Sequence, residues 1–149
     1  MLVTKLAYVD TSALLKRYVP ETNSVAFDAW FVECAPALVS SLSLLELRCG
    51  LARKRRDLKI TAEREIAAMG MVQADINEGA LIVHACSDAF FVGAQQLINT
   101  ICIEISLRSL DALHLTIARS LKATSLATAD TVMQQAAVEL GFEVAFFGD

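Results

Sequence analysis

Four carboxylates stand apart in this 149-residue chain, each in mostly apolar surroundings near the edge of a predicted element: Asp10, Glu46, Asp111 and Asp130. Asp10 ends the apolar run Leu6-Ala7-Tyr8-Val9, and Asp130 closes Thr128-Ala129-Asp130 after a second such run. Glu46 and Asp111 fall in the first turns of predicted helices. In a parallel sheet these positions share one edge, the crevice beyond the carboxyl ends of the strands. Four ionised acids gathered there repel one another by roughly 3 kcal/mol per pair at about 5 Å and an effective dielectric near 20. Bound cations or retained protons must offset that repulsion. An all-oxygen donor set with few His or Cys favours Mg²⁺ or Mn²⁺ over zinc.

Each acid also has an ordinary structural explanation. Asp10 can cap the helix after its strand, and Ser43-Leu44-Leu45-Glu46 fits a capping box. Asp111 can answer a helix dipole, and Asp130 can cap the helix that begins at Thr131. Their joint appearance at one sheet edge favours the chemical reading. Other reagents are scarce. No Ser-His-Asp order is present and no Cys has the setting of a nucleophile, so a covalent intermediate is not expected. His114 lies three residues after Asp111 and shares its helix face, as a packed supporting residue more readily than a ligand. His84 has no partner visible in the sequence. Arg17 and Arg108 are lesser candidates for phosphate contacts, and Asp88 answers the dipole of its own helix.

The elements that must position these groups alternate between strand and helix. Strands are expected at Leu6–Val9, Ala37–Ser40, Ser125–Thr128 and Glu143–Phe147, with Ala80–Val83 a short strand or an extended lead-in. Thr11 or Ser12 is expected to cap a helix to Tyr18, closed by Pro20. A second helix carries Val25, Phe27, Trp30 and Phe31. A Ser41-Leu42-Ser43 turn leads into a third, from Leu42 to about Arg56, and a fourth follows Thr61 towards Ile76. Ser87 and Ser109 look like caps of later helices, and Gly141 like the stop of the last. Strands alternating with helices, with six Gly and two Pro in all, argue for one α/β domain over residues 1–149 with a central parallel sheet flanked by helices on both faces.

Bulk properties narrow the class. Hydrophobic residues make up 55% of the chain, and mean hydropathy is +0.49. The longest charge-free run, Ala89 to Ile103, is 15 residues and holds Gln95, Gln96 and Asn99, too short and too polar for a membrane span. Asp10 interrupts the apolar region a signal peptide would need, so no export signal is expected. The apolar surplus therefore points to a well-buried sheet or to surface that another protein covers. Cys34, Cys49, Cys86 and Cys102 form no CxxC pair and read as small core residues, reduced thiols in a cytoplasmic protein. The net charge of −4 argues against a general nucleic-acid coat protein. Even so, Arg48, Arg53, Lys54, Arg55, Arg56 and Lys59 fall within twelve residues. Such a patch can hold a phosphate backbone or merely end a solvated helix.

The pattern as a whole resembles the PIN-domain ribonucleases, and more narrowly the VapC-type toxins of bacterial toxin–antitoxin pairs. The matching stretches are Tyr8-Val9-Asp10-Thr11-Ser12-Ala13-Leu14, Ser41 to Glu46 with Arg48 and Gly50-Leu51-Ala52, Leu107-Arg108-Ser109-Leu110-Asp111-Ala112-Leu113-His114-Leu115, and Thr128-Ala129-Asp130. They occur in the family's order and span the chain. The resemblance implies helices around a parallel sheet, with Asp10, Glu46, Asp111 and Asp130 as the catalytic set that binds Mg²⁺ or Mn²⁺. Thr11, Ser12 and Thr128 would aim carboxylates or hold a water. Where many members carry a further acid after the last aspartate, this chain has Gln134, a departure that bears on a second metal site and leaves the four-acid core intact.

The implied reaction is hydrolysis of an RNA phosphodiester by water, leaving a 5′-phosphate and a 3′-hydroxyl. Arg48, Arg53, Lys54, Arg55 and Arg56 would hold flanking phosphates. The family also implies a homodimer and a cognate antitoxin whose tail reaches the groove, with the helices after Pro20 and around Thr61 to Ile76 as candidate interfaces. Two other readings compete. One is a catalytically silent scaffold of the same fold that binds RNA or protein. The other is an aspartate-based phosphohydrolase, which wants a second acid two residues after Asp10, where this chain has Ser12.

Overall fold

Strands buried on both faces must split their side chains between two cores, and these do. In the computed structural model, which describes residues 5–101 and 103–149, the strands are β1 (Ala7–Val9), β2 (Ala37–Ser40), β3 (Leu81–His84), β4 (Ser125–Thr128) and β5 (Glu143–Phe146). They form one parallel sheet in the order β3-β2-β1-β4-β5. Each expected strand appears with its ends within one residue of the sequence reading. Tyr8, Leu38 and Leu126 point into one core, while Val9, Val39 and Ala127 point into the other. That is the period-2 alternation of a pleated sheet covered on each side.

The helices are α1 (Thr11–Tyr18), α2 (Ser24–Cys34), α3 (Ser41–Arg56), α4 (Ala62–Asn77), α5 (Asp88–Ile101), α6 (Ser109–Ser120) and α7 (Thr131–Glu139). Helices α1 to α4 pack Leu14, Phe27, Leu47, Leu51 and Val72 against one face. Helices α5 to α7 pack Leu97, Leu115, Ile117 and Met133 against the other. The chain thus winds outward from central β1 through β2 and β3 on one side, then returns to β4 and β5 on the other. Connections leave the carboxyl ends of β1 and β4 towards opposite faces, which opens a crevice between them.

Several helix starts differ from the sequence reading, and the differences concern the site. Neither Thr11 nor Ser12 caps α1: Asp10 holds the N-cap position, and both hydroxyls are engaged elsewhere. The expected Ser41-Leu42-Ser43 turn is the first turn of α3, capped by Ser40 in a box with Ser43. The capping-box explanation for Glu46 therefore falls, because Glu46 lies beyond that turn. Arg108, not Ser109, takes the N-cap position of α6. Thr61 caps α4 by accepting from Arg64 N at 3.1 Å, and Gly141, at φ 88°, follows α7 where a left-handed residue is needed. Cys86 is half-buried and packs against the second core, but Cys34 is half-buried outside both cores and Cys49 is exposed, so the expected core role fails for those two; Cys102 lies outside the described residues. Among the described residues, no helix is long and apolar enough to cross a membrane.

Buried ion pairs brace the first four helices. Asp75 of α4 accepts from Arg17 Nε at 2.7 Å, Arg17 Nη2 at 3.0 Å and Tyr18 OH at 2.7 Å, locking α1 to α4. The Arg17 guanidinium also lies over the Phe31 ring, 4.2 Å from its centroid. Arg17 is thus committed to this pair, and its candidacy as a phosphate contact falls. Burial alone would raise the Asp75 pKa, but the bonds from Arg17 and Tyr18 outweigh it and hold the carboxyl below its ordinary range. A depressed folded pKa gives stability that is present above the ordinary Asp range and lost as pH falls through the depressed value. Asp75→Asn should lower the unfolding free energy at neutral pH by about 2–4 kcal/mol, as expected for one partner removed from a largely buried pair. In denaturant titrations the gap from wild type should shrink as pH falls through the carboxylate range.

Candidate active site

The four acids of the sequence reading line one cleft of about 620 Å³ at the carboxyl edge of the sheet. Asp10 is its floor. The parallel register of β1 with β4 is extended by Asp10 N donating to Ala127 O at 2.9 Å, which sets Asp10 beside the turn that follows β4. One carboxylate oxygen, Oδ2, accepts from Ser12 Oγ at 2.7 Å and from Thr128 Oγ1 at 2.8 Å. Each of those hydroxyls in turn accepts a backbone N–H from the β4–α7 turn: Ser12 from Ala129 at 2.9 Å, Thr128 from Asp130 at 3.0 Å. Two small side chains therefore stitch the two strand ends together through one acid.

Glu46 and Asp111 repeat the pattern of one oxygen held by the protein, whereas Asp130 is bonded at both. Glu46, on α3, accepts at Oε1 from Thr11 Oγ1 at 2.9 Å and from His114 Nε2. Asp130 uses Oδ1 to cap α7, accepting from Val132 N at 2.8 Å and Met133 N at 3.0 Å. Asp111 accepts at Oδ2 from Arg108, at the backbone N (3.4 Å) and Nε (3.3 Å). Arg108 then reaches Asp130 Oδ2 through Nη2, also at 3.3 Å, so one guanidinium spans two acids. Among the described residues no protein donor bonds Asp10 Oδ1, Glu46 Oε2 or Asp111 Oδ1. Hence the ordinary explanations hold in part: Asp130 does cap its helix, whereas Asp10 makes no capping bond through its side chain.

Crowding leaves its mark on the titration of the acids. Burial would raise the Glu46 pKa, but the His114 bond and charge and the Thr11 bond reverse that and hold it below the ordinary range. Asp111 moves the other way: burial raises its pKa, the Asp10 charge adds to it, and Arg108 only partly pulls it back. His114, 1% exposed, is penalised by burial, yet its bond to Glu46 and the charges of Asp10, Glu46 and Asp111 raise its pKa overall.

These groups suit a hard divalent cation chemically. The donors are carboxylate oxygens in a water-accessible cleft, each braced by a second group as metal ligands require. Among the described residues, no three of the Asp, Glu, His and Cys side chains already close into a cage. Mg²⁺ keeps several waters and is usually bound through one or two carboxylates together with phosphate oxygens.

Of the basic candidates, only Arg53 lines the cleft, together with Arg108. Arg48 and Arg55 pair with Glu65 at 2.7 and 2.9 Å, and Lys54 with Glu21 at 2.6 Å. Arg56 lies in the last turn of α3, outside the cleft lining. Three features escaped the sequence reading: Tyr8 as a partner of His114, Arg108 as a bridge between acids, and a cleft wall with exposed Leu45 and Leu110. A signal for Tyr8 was available, since a phenol in a fully buried strand must find a partner for its hydroxyl.

Comparison with known proteins agrees with the fold. A family model for the PIN domain matches residues 7–139. No curated protein matches the chain. Among solved structures, FitAcB from Neisseria gonorrhoeae superposes with a TM-score of 0.65 at 18% identity, over 96% of this chain and 97% of that one. VapC20 of Mycobacterium tuberculosis, described as a sarcin-ricin loop cleaving toxin, gives 0.63 at 15% identity, over 87% and 94%. VapBC2 from Rickettsia felis, bound to a DNA fragment from its promoter, gives 0.63 at 14%, over 95% and 98%. At these identities the superpositions speak for the fold, and the family match carries the assignment: this chain belongs to the PIN-domain family.

Proposed function

We propose that this protein, a single PIN domain over residues 1–149, is a Mg²⁺- or Mn²⁺-dependent endoribonuclease and the toxin of a VapC-type toxin–antitoxin pair. The observation that carries this reading is the shared plan of the acids. Asp10, Glu46 and Asp111 each commit one oxygen to a protein donor and leave the other free of protein donors. Hydrogen-bonded partners of this kind orient metal-ligating carboxylates and are part of such sites. When bound there, a divalent cation supplies water activation and neutralises charge on the scissile phosphate.

The chain's own groups account for the rest. Thr11 donates to Glu46, and Ser12 and Thr128 donate to Asp10, so these hydroxyls are occupied in holding the acids. As the family resemblance implies, water is the nucleophile and hydrolysis leaves a 5′-phosphate and a 3′-hydroxyl. Arg53 at the cleft is the cation offered to phosphates, with Arg108 beside it already engaged by Asp111 and Asp130. Arg48, Lys54 and Arg55 are engaged within the fold and contribute less than their clustering in sequence implied.

A cognate antitoxin and a homodimer complete the proposal. FitAB and VapBC2, both similar in fold, are described as bound to DNA. The exposed apolar residues Val25 and Val32 on α2, and Ile66 and Met71 on α4, supply surface for a second chain. The cytoplasm is the proposed site of action.

Three outcomes test this. Antitoxin-free protein should cut structured RNA in Mg²⁺ or Mn²⁺, and Asp10→Asn or Asp111→Asn should abolish cutting while both variants stay folded by circular dichroism. Binding in EDTA with no metal-dependent cleavage by wild type would instead identify the silent scaffold. Arg53→Ala should weaken RNA binding across sequences and reduce the salt slope of binding by about one, read by titration at several ionic strengths. Finally, Arg108→Gln removes the group that pulls the Asp111 pKa down, so that pKa should rise further above the ordinary Asp value in a carboxyl-carbon NMR titration.

A further inference from the structure

A buried imidazole joins the core of this protein to its cleft. His114 is 1% exposed on α6 and uses both ring nitrogens. Nε2 bonds Glu46 Oε1, and Nδ1 lies 2.7 Å from the hydroxyl of Tyr8, itself fully buried in β1. The phenol oxygen is also 3.2 Å from Ser40 Oγ and 3.5 Å from Ser43 Oγ. Those two serines are the capping box that starts α3, the helix that carries Glu46. One continuous set of hydrogen bonds thus runs from the cap of α3, through β1 and α6, to the carboxylate further along α3.

Chemistry fixes the direction of the last bond. A carboxylate only accepts, so Nε2 carries the proton given to Glu46, whatever the state of Nδ1. The ring cannot turn to serve Glu46 differently without abandoning Tyr8, and Tyr8 cannot move without leaving the sheet. Glu46 needs such a fix. It has a long side chain, partly open to the cleft, that loses rotamer freedom when held in one orientation. Thr11 supplies a second bond to the same oxygen, from a half-buried hydroxyl at the start of α1.

We propose that His114, anchored by Tyr8, is the positioning residue that aims the free Glu46 oxygen into the cleft and so sets the cation affinity of the acid set without touching RNA. This rests on the metal-dependent reading above. Partners of this kind change metal affinity by about 10–100-fold when removed.

The test is MnCl₂ binding to the full-length protein in the absence of RNA, by electron paramagnetic resonance or calorimetry, with thermal unfolding run beside it. His114→Leu should weaken Mn²⁺ binding about 10–100-fold. His114→Gln, which keeps an N–H donor near Nε2, should recover most of the loss. Tyr8→Phe keeps the ring in the core, removes only the hydroxyl and should weaken binding in the same direction. Tyr8→Phe decides the matter if His114→Leu does not fold. A folded His114→Leu or Tyr8→Phe protein with wild-type affinity overturns the proposal, as does a Gln variant no tighter than Leu. Glu46→Gln separates the two levels of inference. If it weakens Mn²⁺ binding while the His114 variants do not, the relay alone is wrong. If wild type binds no Mn²⁺, or Glu46→Gln changes nothing, the metal reading falls and takes the relay with it.

Discussion

Two hydroxyls on one carboxylate oxygen hold this structure at its most demanding point. Ser12 and Thr128 arrive from opposite sides of the β1–β4 seam, and both donate to Asp10 Oδ2. Each is itself held by a backbone N–H of the next turn. A buried acid in a sheet crevice is costly unless its charge is met by donors, and neutral hydroxyls meet it without cancelling it. The other oxygen, Oδ1, is left without a protein donor among the described residues. Around this point the winding of the chain brings α3, α6 and α7 to bear with their own acids.

Electrostatics divides the molecule into two regions. In the helical layer from α1 to α4, cations and anions are matched: Arg17 with Asp75, Lys16 and Lys54 with Glu21, Arg48 and Arg55 with Glu65. Arg17–Asp75 joins α1 to α4 and the Glu65 pairs join α3 to α4, and together with the Glu21 pairs they take up much of what looks, in the linear chain, like a basic patch. In the cleft the balance is left incomplete. Four acids face Arg53, a bridging Arg108 and one imidazole; against its burial, His114 and Thr11 hold the Glu46 pKa down, while burial drives that of Asp111 up. A net charge of −4 is thus no guide to where charge is available.

The sheet and its two buried faces were legible because each strand is a short apolar run ended by a polar or turn residue. The acids were legible because carboxylates at strand ends have few reasons to be there. Helix starts were less so. A Ser or Thr beside an acid can cap a helix or brace the acid, and local sequence does not distinguish these uses; Ser12, Thr11 and Ser43 show both outcomes. The pairing of His114 with Tyr8 joins residues 106 apart in the chain, beyond the reach of any spacing argument. The neutralisation of Arg48 by Glu65 needed the crossing of α3 with α4, which helical periodicity alone does not predict.

The placement of β4 has a consequence in time. The central strand β1 is synthesised early but finds its neighbour β4 only after more than a hundred further residues, so the seam around Asp10 is a late, long-range contact. Chains leave the ribosome at about 5–20 residues per second. Until Thr128 and Asp130 have emerged, Asp10 lacks one of its two hydroxyl donors and the cleft lacks one of its walls. A growing polypeptide therefore carries Asp10 and Glu46 well before the site itself can form, and the cleft comes into being only once β4 and the turn after it have emerged.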